Sequence, residues 1–166
     1  MRRLDLALCL RLNRAGRFFA IRTVLCAANR LGNGVFWYVL MALLPFLYGE
    51  AAWHAMVQMV GAGTLGLAVY FLLKKKTLRK RPYQIDQAIV LLARPLDAFS
   101  FPSGHTLHST AFSLILTTHF PELGPLLFGF SALVALSRPV LGLHFPSDVV
   151  AGALLGMGLA SLALHI

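Results

Sequence analysis

His144 and Asp148 stand four residues apart, the spacing at which one helical face lets a carboxylate contact an imidazole. A carboxylate so placed holds the ring's tautomer and stabilises positive charge on it, leaving the far nitrogen free to attack. His105 is a second imidazole, suited to give a proton to a departing group. Lys74, Arg81 and Arg138 supply cations, and the two arginines can grip phosphate oxygens bidentately. The run Pro102-Ser103-Gly104-His105 adds a hydroxyl and backbone donors at an expected helix start, where anions are favoured. Gly104 is expected to let the backbone approach such an anion closely. These are the parts that cleavage of a phosphomonoester or diphosphate needs: preorganised positive charge, an in-line nucleophile and an acid for the leaving oxygen. No set of Asp, Glu and His has the spacing of a two-metal centre, so neither metal nor other cofactor is expected.

Composition says what must position them. The chain of 166 residues allows one domain of ordinary size. Its residues are 58% apolar and 13% charged, against roughly 45–50% and about 25% in soluble domains. Lipid is the natural solvent for such a chain. The net charge of +9 comes without an aromatic-basic stacking platform, which argues against nucleic acid. Anionic lipid headgroups, or a phosphorylated substrate at the membrane surface, fit it better. Cys9 and Cys26 allow at most one disulfide and no zinc site. The basic start lacks a cleavage pattern, and Asp5 and Arg11 interrupt the apolar residues after it, so no removable signal peptide is expected.

Residues 1–31 alternate leucines with arginines and lack the run of about 20 apolar residues that a span needs. They read as one or two helices lying in the interface. Spans are expected at about 35–49, 51–73, 102–120, 126–140 and 149–166, with Pro102 in the first turn of the third. That third span carries His105, Thr106, His108, Ser109, Thr110 and Ser113, which are expensive in a membrane unless they face protein or a wet cavity. Residues 83–101 read as a surface loop with a short amphipathic helix. Gly152, Gly156 and Gly158 are expected to let the last helix pack closely. The expected fold is all-α: a polytopic membrane helical bundle of about five transmembrane helices, with interfacial helices over 1–31 and a core over 32–166, one domain in all. Five spans bring the basic run at 74–81, His105, Arg138, His144 and Asp148 to one membrane face.

With these residues in hand, the chain resembles the type-2 phosphatidic acid phosphatase superfamily, the lipid phosphate phosphatases. Lys, six residues, then Arg-Pro matches Lys74 through Arg81-Pro82. Pro-Ser-Gly-His matches Pro102-Ser103-Gly104-His105, and Ser-Arg, five residues, His, three residues, Asp matches Ser137-Arg138, His144 and Asp148. All three parts are complete and in order. The resemblance implies a metal-independent lipid phosphatase in which His144 forms a phosphohistidine and Asp148 orients it. It implies that His105 protonates the leaving group, while Lys74, Arg81, Ser103, Gly104 and Arg138 hold the phosphate. Undecaprenyl diphosphate, phosphatidylglycerol phosphate and phosphatidate are the substrates it implies. Six spans are common in that family, so the basic N-terminal region would stand in for one. Two other readings compete. Vanadium haloperoxidases share the signature but are typically larger and soluble. A non-catalytic protein that binds or moves anionic lipids would have no use for an Asp-paired histidine opposite a second one.

The remaining residues read more plainly. His108 is expected on a helix face, and His54, His119 and His165 toward the opposite membrane face. Trp37, Tyr38 and Trp53 are expected as interface anchors. All 15 Lys and Arg fall on the face that carries the candidate site. By the positive-inside rule this places the N-terminus and the site on the cytoplasmic side of a cell (inner or plasma) membrane, with the C-terminus outside. The resemblance points the other way, since many members of that family carry the site away from the cytoplasm. Nothing in the sequence sets an oligomeric state.

Overall fold

The computed structural model describes residues 2–166, which form eight α-helices among the described residues. They are α1 (Arg2–Asn13), α2 (Phe19–Leu31), α3 (Val35–Tyr48), α4 (Ala51–Thr77), α5 (Pro82–Ile85), α6 (Gly104–His119), α7 (Gly124–Val140) and α8 (Pro146–Ala163). Short 3-10 turns at Arg14–Arg17 and Pro121–Leu123 join α1 to α2 and α6 to α7. Segments Ala51–Ile85, Pro121–Val140 and Pro146–Ala163 are each long and apolar enough to cross a membrane. Phe19–Leu31 and Val35–Tyr48 would make a fourth span across their 58° bend. Helix α6, with 16 residues, is shorter and more polar than these.

That polarity is explained by where α6 sits. It is the hub of the bundle, packed most extensively on α8 and also against α4 and α7. Thr106, Ser109 and Ser113 are buried between helices rather than turned to lipid. The Ser113 and Ser131 hydroxyls are 2.8 Å apart, and Ser131 Oγ donates to the Ser109 carbonyl at 3.1 Å. Thr106 and Ser113 are satisfied inside the protein and so tolerated at membrane depth, while the buried Ser109 hydroxyl has no partner among the described residues. The close α6–α8 approach depends on two glycines. A Cβ at Gly152 would lie 2.5 Å from the Ser103 carbonyl, and one at Gly156 would lie 2.4 Å from that of Leu107. Gly158, expected to share this role, faces open space.

An apolar cluster of Trp37, Leu44, Met59, Ile115, Leu116 and Leu127 fills the half of the bundle away from the basic residues. Trp37 is only 1% exposed, packed edge-on to Phe36, Phe112 and Phe130. It is therefore a core residue and not an interface anchor, because α3 turns this ring inward; Tyr38 and Trp53 do lie on the exterior. Helix α4 continues past the expected end at 73 and carries Lys74, Lys75 and Lys76 in its last turn. One of the three, Lys74, is buried, and the other two are exposed. Pro102 lies two residues before α6, and Ser103 takes the N-cap, so the expected proline in the first turn is not found.

Helix α1 inverts the usual pattern of a surface helix. Asp5, Cys9 and Asn13, at successive i, i+4 positions, face the protein, while Leu4 and Leu8 face outward. Asn13 Nδ2 donates to the carbonyls of Val90 and Val140, both at 2.9 Å, and its Oδ1 accepts from Val90 N. Cys9 Sγ points at the His144 carbonyl at 3.8 Å. Polar-in and leucine-out is the arrangement expected of a helix whose outer solvent is hydrocarbon.

Candidate active site

The three motif segments meet at the basic end of the bundle. Helix α7 places Arg138 in its last turn, and Gly142 then turns the chain back at φ +77°. Only glycine fits there, since a Cβ would stand 2.7 Å from the Val90 carbonyl. The reversal lets the N–H groups of Leu143 and His144 both donate to the Arg138 carbonyl, at 3.0 and 3.2 Å. Arg138 and His144 thus share one buried space, each 2% exposed. The Ser103 N–H donates to the Asp148 carbonyl at 3.1 Å, which ties the start of α6 to the start of α8.

The environment of His144 assigns its tautomer. Nδ1 lies 2.5 Å from the Ser100 carbonyl, which can only accept, so Nδ1 carries the proton. Nε2 lies 3.3 Å from Arg81 Nη1, a donor, so Nε2 presents its lone pair. Burial holds the His144 imidazole well below its ordinary range, and the charges of Arg138, Arg81 and Lys74 add to this against the Ser100 hydrogen bond. A neutral ring with an unprotonated Nε2 is the form a nucleophile requires.

Asp148 differs from the expectation of direct contact. Its Oδ2 is 3.8 Å from His144 Nδ1, too far for a hydrogen bond but close enough to favour positive charge on the ring. The reason is local: α8 begins only at Pro146, so His144 precedes the helix and the two side chains share no helical face. Oδ2 accepts from Phe145 N at 2.8 Å, and Oδ1 accepts from Arg79 Nη1 at 2.5 Å. Arg79 also pairs with Asp5 at 2.6 Å, and Asp5 in turn accepts from Ser147 N and Oγ. Burial raises the Asp5 carboxyl, but the hydrogen bonds from Ser147 and Arg79 outweigh it and leave the group below its usual range.

His105 opens α6, is half-buried, and hydrogen-bonds Asn33 Oδ1 through Nε2. Arg138 Nη1 bonds Asn29 Oδ1, while the buried Arg138 Nε has no partner among the described residues. Ser103 caps α6, its Oγ 2.9 Å from Thr106 Oγ1. The first N–H groups of α6, at Gly104 and His105, precede the helix's own hydrogen-bond ladder, an arrangement that favours an anion. Gly104 has a further use not foreseen from sequence: a Cβ there would meet the Tyr70 ring at 2.7 Å. His108 lies between two backbone carbonyls, its Nδ1 2.9 Å from that of Gly104 and its Nε2 3.3 Å from that of Gly63.

A cleft of about 570 Å³ leads away from this cluster between α3 and α4. His105, Gly104 and Asp97 line its polar end, and Trp37, Met59 and Phe112 are among the residues of its apolar reach. His105 and His144 therefore stand at the same end of the bundle, linked through Arg81 and Asp97.

A family model described as the PAP2 superfamily matches residues 55–166. The chain belongs to that superfamily. It is 31% identical to undecaprenyl-diphosphatase BcrC of Bacillus subtilis (strain 168) over 114 residues, which is 68% of this chain and 58% of that relative. Among solved structures it is similar to Aquifex aeolicus LpxE, with a TM-score of 0.81 at 25% identity over 98% of this chain and 96% of that one. A second is described as the first transmembrane PAP2 type phosphatidylglycerolphosphate phosphatase from Bacillus subtilis, at a TM-score of 0.74 and 25% identity. It is matched over 96% of this chain and 84% of that one.

Within this PAP2 framework, Asp97, Ser100, Arg79, Tyr70, Asn29 and Asn33 complete the polar network, and sequence reading singled out none of them as a site residue. One signal was available. The chain has only six Asp and Glu, and Asp5, Asp97 and Asp148 all belong to this network.

Proposed function

We propose that the chain is an integral-membrane lipid phosphate phosphatase that works through a phosphohistidine on His144, without a metal. The observation that supports it best is the state of that ring. Its nucleophilic nitrogen is unprotonated, its other nitrogen is locked, and three buried cations, Lys74, Arg81 and Arg138, surround the space it faces. The unpartnered Arg138 Nε is the kind of buried donor that an absent anion would satisfy.

The geometry supports the following steps. Nε2 of His144 attacks phosphorus, and the bond to the leaving oxygen breaks as His105 gives that oxygen a proton. Asp148 steadies the positive ring through space while the Ser100 carbonyl keeps Nδ1 protonated. Water then attacks the phosphohistidine, His105 takes its proton, and phosphate leaves with His144 neutral again. Lys74, Arg81, Arg138, Ser103 and the N–H groups of Gly104 and His105 hold the phosphoryl oxygens as charge spreads over them.

The apolar cleft beside His105 suits a substrate whose tail stays in lipid while its phosphate enters the polar end. Undecaprenyl diphosphate, phosphatidylglycerol phosphate and phosphatidate are the candidate substrates, and the names of the similar proteins favour the first two. Residues 1–166 act as one membrane-embedded domain, with 1–31 at the interface and 32–166 as the core. The charge bias favours a multi-pass protein of the cell membrane with the site on the cytoplasmic face, against anionic lipid.

The test is a phosphate-release panel over these purified lipids in detergent with chelator present, combined with trapping of labelled phosphate on the protein. Release from at least one lipid and label on His144 are expected. Strict dependence on added metal, or label elsewhere, would overturn the mechanism. A reporter enzyme active only in the cytoplasm, fused to the C-terminus, is expected to be silent; its activity would reverse the orientation.

A further inference from the structure

Asp97 is the acidic residue nearest the proposed phosphate cations. Its Oδ1 accepts from Lys74 Nζ at 2.7 Å, from Arg81 Nη2 at 3.0 Å and from Phe99 N at 3.0 Å. Its Oδ2 accepts from the Tyr70 hydroxyl at 2.5 Å. Two cations, an N–H and a hydroxyl converging on two oxygens is the pattern by which proteins hold a phosphate. Here a side chain of the protein fills it. The carboxylate is 29% exposed and lines the cleft beside Gly104 and His105, so it borders the path a substrate takes.

The backbone around Asp97 does a separate job. Arg81 Nε donates to the Asp97 carbonyl, Lys74 to that of Phe99, and His144 Nδ1 to that of Ser100. Ser100 N and Oγ are fixed by the carbonyls of Arg79 and Lys80. Lys74, Arg81 and His144 thus each have a main-chain oxygen as partner, and Ser100 is tied to Arg79 and Lys80 independently of Asp97's carboxylate. Its charge is the part free to answer to the ligand.

We propose that Asp97 is a resident counter-anion: its carboxylate occupies Lys74 and Arg81 until a phosphate takes them over, which makes it a specificity-determining residue for the charge of the incoming group. It neutralises the pair in the empty site and weakens every anion that must displace it, most of all a small one with no lipid tail. Free inorganic phosphate is therefore held off, while a substrate anchored by its chain in the α3–α4 cleft competes successfully. The proposal rests on the phosphatase reading above.

The experiment measures equilibrium binding of inorganic phosphate to the purified full chain in detergent, for the wild type, Asp97→Asn and Asp97→Glu. Removing one negative charge beside an anion is expected to tighten phosphate binding about 10-fold or more in Asp97→Asn. Asp97→Glu keeps the charge and is expected to stay near the wild type. For lipid substrate, KM is expected to fall more than kcat changes in Asp97→Asn, a split that loss of a purely structural contact would not produce. Should Asp97→Asn fail to fold, Tyr70→Phe removes one bond that holds the carboxylate in place and is expected to tighten phosphate in the same direction by a smaller factor. Unchanged or weaker phosphate binding in whichever variant folds overturns the proposal. A wild type that binds phosphate as tightly as Asp97→Asn overturns it while leaving the phosphatase intact. A wild type that releases phosphate from no lipid sinks both.

Discussion

Each end of the bundle carries a pair of histidines, and the two pairs do different things. At the far end, His54 and His119 lie 5.4 Å apart, both hydrogen-bonded to the amide of Gln58, with Tyr48 and Glu122 paired nearby. Among the described residues, no Lys or Arg belongs to that end. At the basic end, His144 is wedged between a guanidinium and a carbonyl, and His105 faces a cleft. The same side chain is a structural hydrogen-bonding group in one place and a candidate nucleophile in the other. What separates them is the buried positive charge, together with the carbonyl that fixes which nitrogen holds the proton.

The largest contrast is expected from His144→Ala, which should abolish phosphate release while lipid binding survives. His119→Ala at the far end should keep turnover near wild type. Equal loss in both variants, measured by phosphate release, would erase the distinction between the ends. Next, Arg138→Ala is expected to lower kcat on the order of 10²–10³, as loss of a preorganised anion donor does. A loss below about 10-fold would remove Arg138 from the phosphate site.

Arg79→Ala tests the layer behind the histidine. It leaves Asp148, fully buried, without its cation, a change that destabilises by about 3–5 kcal/mol. Thermal unfolding in detergent reads this, and an unshifted midpoint would show that the Asp148 pair is dispensable. Gly152→Ala should cost about 1–3 kcal/mol by forcing α6 from α8, whereas Gly158→Ala should be silent. Similar effects at both positions would contradict the close approach.

The smallest effect concerns pH. The folded pKa of His144 lies below its ordinary 6.5, so the unfolded chain binds the extra proton first. This contribution to stability is complete above about pH 6.5 and is lost as pH falls toward the folded pKa. His144→Gln should flatten that part of a stability-against-pH curve, and an identical curve would mean the ring is not held neutral.

Much of this arrangement could be read from residue order. Apolar runs placed α3, α4, α6, α7 and α8, and motif spacing named Lys74, Arg81, Ser103, His105, Arg138 and His144, which the fold brings to one end. The rest was hidden for physical reasons. The partner that fixes His144 is the carbonyl of Ser100, and every residue has a carbonyl, so sequence carries no mark of it. The four-residue spacing of His144 and Asp148 suggested a helical contact because the start of α8 between them is set by Pro146 and by the cap that Asp148 itself provides. Asp97 looked like a loop residue because its partners lie 16 and 23 positions away. Trp37 looked like an anchor because an aromatic near a helix end reads alike whether it turns to lipid or to the core.

Helix α1 lies wholly outside the stretch that the family model covers, yet it packs behind the segment that carries His144. Its Asp5, Cys9 and Asn13 could not swing into hydrocarbon without leaving their hydrogen-bond partners, so the helix is fastened by the same polar atoms that brace the loop carrying His144. A chain trimmed to residues 55–166 would keep each of the three motifs and lose the backing that holds the third in place. The segment matched by the family model and the polar scaffold around His144 have different borders in this protein.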